Sequence, residues 1–305
     1  MQNNIELNQF KPEDKKIFDE AYSKLKFPLA EHSFAWVYLW DYCYKDIEWA
    51  RINGNICLFL TFEGNRCIWG PILPGIKLSE TLKKCFEVCE QYNKEKKTKG
   101  KAMVKYIPEE LKEEYSNIDG YKLLHQNQDY IYRRKEIIEL KGEKYKNKRN
   151  LRNFFVQNYK YKVEEYEKDR HMEGCIEILN KWNRQKLEVI NKKHHESLQD
   201  EYDANLKVLE NAPAFSLKGV VAYVDEKIQG YTFGEQTSKN MCTDFFEKTN
   251  LGIKGLSVFI YGELLKIFEG EFVNAGEDWG VDYIMAVKLS YHPVMVRKSY
   301  MLEKA

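Results

Sequence analysis

The chain lacks any run of roughly 20 uninterrupted apolar residues, so nothing in it reads as a helix able to cross a bilayer. Its opening residues, MQNNIELNQFKPEDKK, also lack the apolar stretch of a secretory signal. The two absences lead to the expectation of a cytoplasmic protein with no integral membrane segment, whose contact with lipid is peripheral. Seven cysteines, an odd number with no CxxC pair, argue against a disulfide framework or a zinc site, and no metal is expected. Cys85 and Cys89 instead share a helical stripe with Leu82, Phe86 and Tyr92 and read as small core residues. A charge excess is missing as well: 48 basic residues stand against 47 acidic ones, a net charge of +1, so the whole molecule is no electrostatic magnet for nucleic acid. Neither a nucleophile elbow nor a Ser-His-Asp set is visible.

What is present is core-forming material. With 305 residues, 43% hydrophobic and 14% aromatic, the chain has enough for two domains of ordinary size. The first half reads as helices near 12–25 and 32–43, strands near 47–52, 56–62 and 66–69, a helix over 78–93 and a strand over 102–106. A helix opened by Pro108 and extended segments to Ile138 follow. Asn53-Gly54 marks a hairpin turn. The second half repeats the order: a basic helix over 143–159, a strand over 161–165, and a long helix from about Met172. A meander with its tightest turn at Asp225-Glu226, a helix from Leu256, a short strand and a last helix complete it. The expected fold class is α+β, two GNAT-like domains in tandem (1–138 and 139–305), each a mixed, mostly antiparallel sheet flanked by helices.

Three ordered segments carry a resemblance. Asn274 to Pro293 (NAGEDWGVDYIMAVKLSYHP) matches a signature N-x-x-E-D-x-G … K-x-S-Y-x-P, and Asp129 to Asn150 contains DYIYRR followed by L-K-G and YKNKRN. Between them, Phe245-Phe246-Glu247-Lys248 and Ile253-Lys254-Gly255 match HFEK … IKG. Weaker likeness lies around Glu31-His32-Ser33-Phe34 and Tyr38-Leu39-Trp40. Together these segments resemble the phosphatidylglycerol lysyltransferase C-terminal domain family, whose relatives are similar to Fem-type aminoacyl-tRNA-dependent transferases built from two GNAT-type folds. The resemblance implies an aminoacyltransferase that moves an aminoacyl group from aminoacyl-tRNA to a lipid head group or another small hydroxyl or amine. Implied partners are tRNA and an anionic lipid head group. Two alternatives stay open: an N-acyltransferase using acetyl-CoA, and a non-catalytic module that binds RNA or a lipid head group. The loop Asn250 to Gly255 sits where such enzymes hold pyrophosphate, but it departs from the usual Q/R-x-x-G-x-G/A pattern.

Candidate site residues follow. Glu277, Asp278 and Glu247 are the candidate catalytic acids, for orienting an ammonium or accepting a proton from the nucleophile. Asp278 is also placed to cap a helix that carries Tyr283, Ile284 and Val287 toward a core. Asn274, Lys288, Lys254, Gly255 and Phe246 are candidate substrate-binding residues. Ala275 stands where the family signature often has a cation. From Arg133 to Arg152 nine basic residues face three acidic ones, a local charge of +6. Cations in the first turns of a helix oppose its dipole, at about 0.3–1 kcal/mol each. Tyr145, Lys146, Lys148, Arg149 and Arg152 are therefore expected to hold phosphates or tRNA, with Tyr145 stacking; a solvated basic surface is the alternative. His194 continues a helical stripe with Leu187, Ile190 and Leu198, His195 is expected exposed, and His292 fits either an acyl site or a hydrogen bond at a strand end.

Overall fold

The computed structural model describes residues 5–98, 100–189 and 195–305. The chain divides into two compact units, residues 1–129 with 296–305 and residues 130–295. The expected division after residue 138 differs from this: the boundary falls inside a strand, and the last ten residues belong to the first unit.

The first unit opens with β1 (Asn8–Gln9), α1 (Lys15–Tyr22) and α2 (Phe34–Leu39), the last capped by the Ser33 hydroxyl, which accepts from the Trp36 N–H. An antiparallel meander follows: β2 (Tyr44–Ile52), β3 (Asn55–Phe62) and β4 (Asn65–Leu73). Asn53 and Gly54 both have positive φ, the geometry of the tight hairpin turn that Asn-Gly favours. The helix α3 (Leu78–Glu95) then crosses to β5 (Met103–Pro108), parallel to β4. Leu82, Cys85, Phe86 and Cys89 form its buried stripe, as their spacing requires. Next come α4 (Lys112–Ser116) and β6 (Tyr121–Arg133), which contributes residues to both units.

The second unit contains α5 (Arg134–Glu139), α6 (Lys146–Asn158), β7 (Tyr161–Glu165), α7 (Lys168–Val189) and α8 (His195–Asn211). Its meander is β8 (Lys218–Val224), β9 (Lys227–Ser238) and β10 (Met241–Thr249), with Asp225 and Glu226 both at positive φ in the first turn. The crossover helix α9 (Leu256–Lys266) leads to β11 (Phe272–Glu277), parallel to β10, and α10 (Asp282–Leu289) follows. The last strand, β12 (Met295–Lys304), pairs with β5 of the first unit. Strand order is β1-β2-β3-β4-β5-β12 in the first unit and β11-β10-β9-β8-β7 in the second. The fold is α+β, and each unit repeats the order of meander, crossover helix and parallel strand that the sequence leads one to expect.

Two local expectations are corrected. Asp278 does not cap α10: that helix starts at Asp282, with Val281 in the cap position. The Asp278 carboxylate instead accepts from Gly280 N–H (2.9 Å) and from the Tyr130 hydroxyl (2.5 Å). Nor does α10 carry Tyr283, Ile284 and Val287 into a core; Met285 is its residue that packs against one. None of its residues is buried, and Tyr283, Val287 and Leu289 are each about half exposed.

Candidate functional site

A cavity of about 480 Å³ opens in the second unit at the N-terminal end of α9. Strand β10 supplies two acids to its wall, Asp244 and Glu247. Three residues apart on a regular strand they would point to opposite faces; a register shift between Asp244 and Phe246 brings both to one side. Ser257, Val258 and Tyr261 come from successive turns of α9, Lys148 and Leu151 from one face of α6, and Ile284, Val287 and Lys288 from one face of α10. Tyr132, Ala275 and Tyr291 complete the lining with the loop Thr249 to Gly255.

Gly255 is required by close packing. Its φ is +85°, and a Cβ there would lie 2.1 Å from the Leu151 carbonyl oxygen, so α6 touches the backbone at the start of α9. A bulky residue at Gly255 would thus break the junction of the two helices, whatever the loop binds.

Burial pushes the Glu247 carboxyl up from 4.5 to about 7, with the Asp244 charge adding to it; the Ser257 hydrogen bond, Lys248 and Lys148 pull the other way. Burial holds the Lys148 ammonium below its ordinary value, against Glu247. Burial also raises the hydroxyls of Tyr132, Tyr261 and Tyr291, which therefore stay protonated and able to donate. The Tyr261 hydroxyl is buried and has no hydrogen-bond partner among the described residues.

Of the sequence-proposed residues, the cavity collects Glu247, Lys148, Lys254, Gly255 and Lys288. The Lys288 ammonium donates to the carbonyls of Ala275 and Gly276 at the end of β11. Glu277, Asp278, Asn274 and Phe246 lie outside the lining. Asn274 is buried and its side chain accepts from the Gly276 N–H (2.8 Å), while Phe246 points into the packed interior.

The basic helix is corrected more deeply. Tyr145 is buried, and its hydroxyl donates to Glu136 (3.1 Å) and to the Tyr291 carbonyl (3.3 Å), so the ring is not available for a base to stack on. Arg149 donates through Nη1 to the carbonyls of Leu140 (2.7 Å) and Gly142 (2.8 Å), and Arg152 to those of Ile138 (2.9 Å) and Glu139 (3.4 Å). These carbonyls lie at and just beyond the C-terminus of α5, where a helix exposes unpaired acceptors and a negative dipole end. The two arginines of α6 thus complement the dipole of the helix before it. Lys146 is exposed beside Glu143 (3.1 Å). Lys148 alone among the expected phosphate ligands turns into the cavity, its Nζ 3.9 Å from the centre of the Tyr291 ring.

His292 donates through Nε2 to the Lys144 carbonyl (2.9 Å), the hydrogen bond of the two options expected. His194 lies outside the described residues, as does the side chain of His195. Among the described residues no helix is long and apolar enough to cross a membrane. Asp244, Ser257, Tyr132, Tyr261 and Tyr291 were not singled out by sequence. Tyr132 and Tyr291 did carry a signal, since both stand inside the segments of resemblance.

The family model of the phosphatidylglycerol lysyltransferase C-terminal domain matches residues 23–303. No curated protein matches the chain. Among solved structures, a conserved protein of unknown function from Bacteroides thetaiotaomicron is similar at 23% identity, with a TM-score of 0.88 over 99% of this chain and 100% of that one. The C-terminal domain of a protein assigned as a lysylphosphatidylglycerol synthetase from Agrobacterium fabrum is similar at 13% identity and a TM-score of 0.66, over 97% and 92%. L-PGS from Bacillus licheniformis is similar at 15% identity and a TM-score of 0.64, over 97% and 93%.

Proposed function

We propose, for a chain that belongs to the phosphatidylglycerol lysyltransferase C-terminal family, that the cavity of the second unit is an acyl-transfer site. The donor is aminoacyl-tRNA and the acceptor a hydroxyl or amine on a lipid head group or another small molecule. The observation that carries this reading is Glu247, a carboxyl in the cavity wall that burial tunes to about 7, where a general base works best at neutral pH. The acceptor's oxygen or nitrogen attacks the ester carbonyl carbon while Glu247 takes its proton. The bond to the ribose oxygen then breaks, and Glu247 returns the proton to that leaving oxygen. Tyr261 offers an unspent hydroxyl for the charge that develops on the carbonyl oxygen. Lys254, exposed at the rim, is suited to a phosphate of the donor.

The test is a transfer assay with a panel of labelled aminoacyl-tRNAs and anionic lipids, comparing the native protein with Glu247→Gln. Transfer should fall by about 100-fold or more in the variant. Equal transfer by both proteins, or none by the native one, overturns the reading. A second donor is supported by the loop Asn250 to Gly255, which borders the same cavity at a helix N-terminus. Acetyl-CoA in place of the tRNA separates the two, and binding of RNA or lipid without any transfer would identify a non-catalytic module.

A further inference from the structure

We propose that Tyr132, Tyr261 and Tyr291, with Asp244 beside them, form an ammonium-binding subsite in this cavity, and that Lys148 is its built-in occupant, which a ligand's own ammonium group must displace. The three rings gather at one wall: Tyr261 and Tyr291 have centroids 5.6 Å apart, and Tyr132 and Tyr291 6.0 Å. Ring faces carry partial negative charge and attract cations, most strongly where water is excluded. Asp244 acts electrostatically on all three hydroxyls, in the sense that adds to this attraction.

Of the three lysines lining the cavity, each has a different seat. Lys288 is spent on the carbonyls of Ala275 and Gly276, and Lys254 lies 4.7 Å from the centre of the Phe154 ring at the rim. Lys148 is the one set over a ring of this group, its Nζ 3.9 Å from the centre of Tyr291. A substrate carrying an ammonium group competes with it for the rings, whereas a neutral group of the same shape does not. Lys148 would then govern how strongly the site distinguishes cationic from neutral ligands. The inference rests on the acyl-transfer reading only for the identity of the natural occupant, since the subsite can be tested without any reaction.

The test is calorimetric titration of the full chain with choline, a quaternary ammonium probe, and with its uncharged carbon isostere 3,3-dimethyl-1-butanol. Lys148→Met, which keeps the length of the side chain and removes its charge, should bind choline about tenfold more tightly than the native protein and leave the isostere within about twofold. Adding Tyr291→Leu to that variant should abolish the gain; thermal unfolding checks that both variants are folded. Should Lys148→Met fail to fold, Lys148→Gln takes its place with the same expectation. Unchanged or weaker choline binding on removal of the Lys148 charge, or an equal gain for the isostere, overturns the inference. Choline binding that behaves as expected in a protein inactive with every donor leaves this subsite standing and overturns the transfer reading alone.

Discussion

The two units share one succession of elements, yet they use the space before the crossover helix in opposite ways. In the first unit, buried Asn55 fills it. Its Oδ1 accepts from the N–H groups of Gly75 and Ile76 (2.9 Å each), and its Nδ2 donates to the carbonyls of Ile76 (2.7 Å) and Ile52 (3.2 Å). The third strand of that meander, β4, is almost wholly buried and mostly apolar. In the second unit the third strand carries Asp244 and Glu247, and the cavity opens beside them. Its own asparagine, Asn250, donates to the Gln229 side chain (2.8 Å) and accepts from the Gly252 N–H (3.1 Å). A repeated fold can thus close one copy of a loop with a side chain and border the other with acids and a cavity.

The contrast can be broken from either side. Asn55→Ala should strand several buried backbone groups and cost about 3 kcal/mol in urea unfolding, the largest stability effect expected. Glu247→Gln should act in the opposite direction. The folded protein keeps the Glu247 proton to about pH 7, whereas the unfolded chain releases it near 4.5, so between these values the folded state binds more protons. Native stability therefore falls as pH rises through that window, by at most about 3 kcal/mol, and the loss is complete above it. The glutamine variant should lack this fall when unfolding is compared at pH 5 and pH 8, and so exceed the native protein at the higher pH. If both proteins lose stability equally, Glu247 is not the tuned acid. Arg149→Ala should cost about 2 kcal/mol by freeing the Leu140 and Gly142 carbonyls, and Lys146→Ala, an exposed pair, should stay within about 0.5 kcal/mol. Equal effects at Arg149 and Lys146 would return the basic helix to being a uniform charged surface.

Both crossover helices are legible in the sequence because a long apolar stripe leaves little choice: Leu82, Cys85, Phe86 and Cys89 in one, Leu256, Phe259, Ile260 and Leu264 in the other. The two tight turns, Asn53-Gly54 and Asp225-Glu226, are legible for similarly local reasons. The helix α5 falls in a segment whose sequence suggests extended structure, since RKEIIE is too short for a period to emerge. Arg149 and Arg152 looked like free charge because their acceptors are carbonyls at the end of a helix that the pattern does not reveal. Asp244 escaped notice because strand alternation sets it opposite Glu247, and only the irregularity in β10 reunites them. Asp278 looked like a cap because its real partner, Tyr130, is 148 residues away.

The arginine clasp makes residues 134–158 a single cassette for anyone exchanging parts between relatives. Transplanting the second helix without the first would deliver guanidinium groups to a place with no acceptors, and replacing it with a neutral one would leave the first helix frayed at its tail. Since the same cassette carries Lys148 and the Leu151 carbonyl that abuts Gly255, a mismatched swap would also shift the cavity wall. A chimaera meant to change specificity should therefore move both helices together.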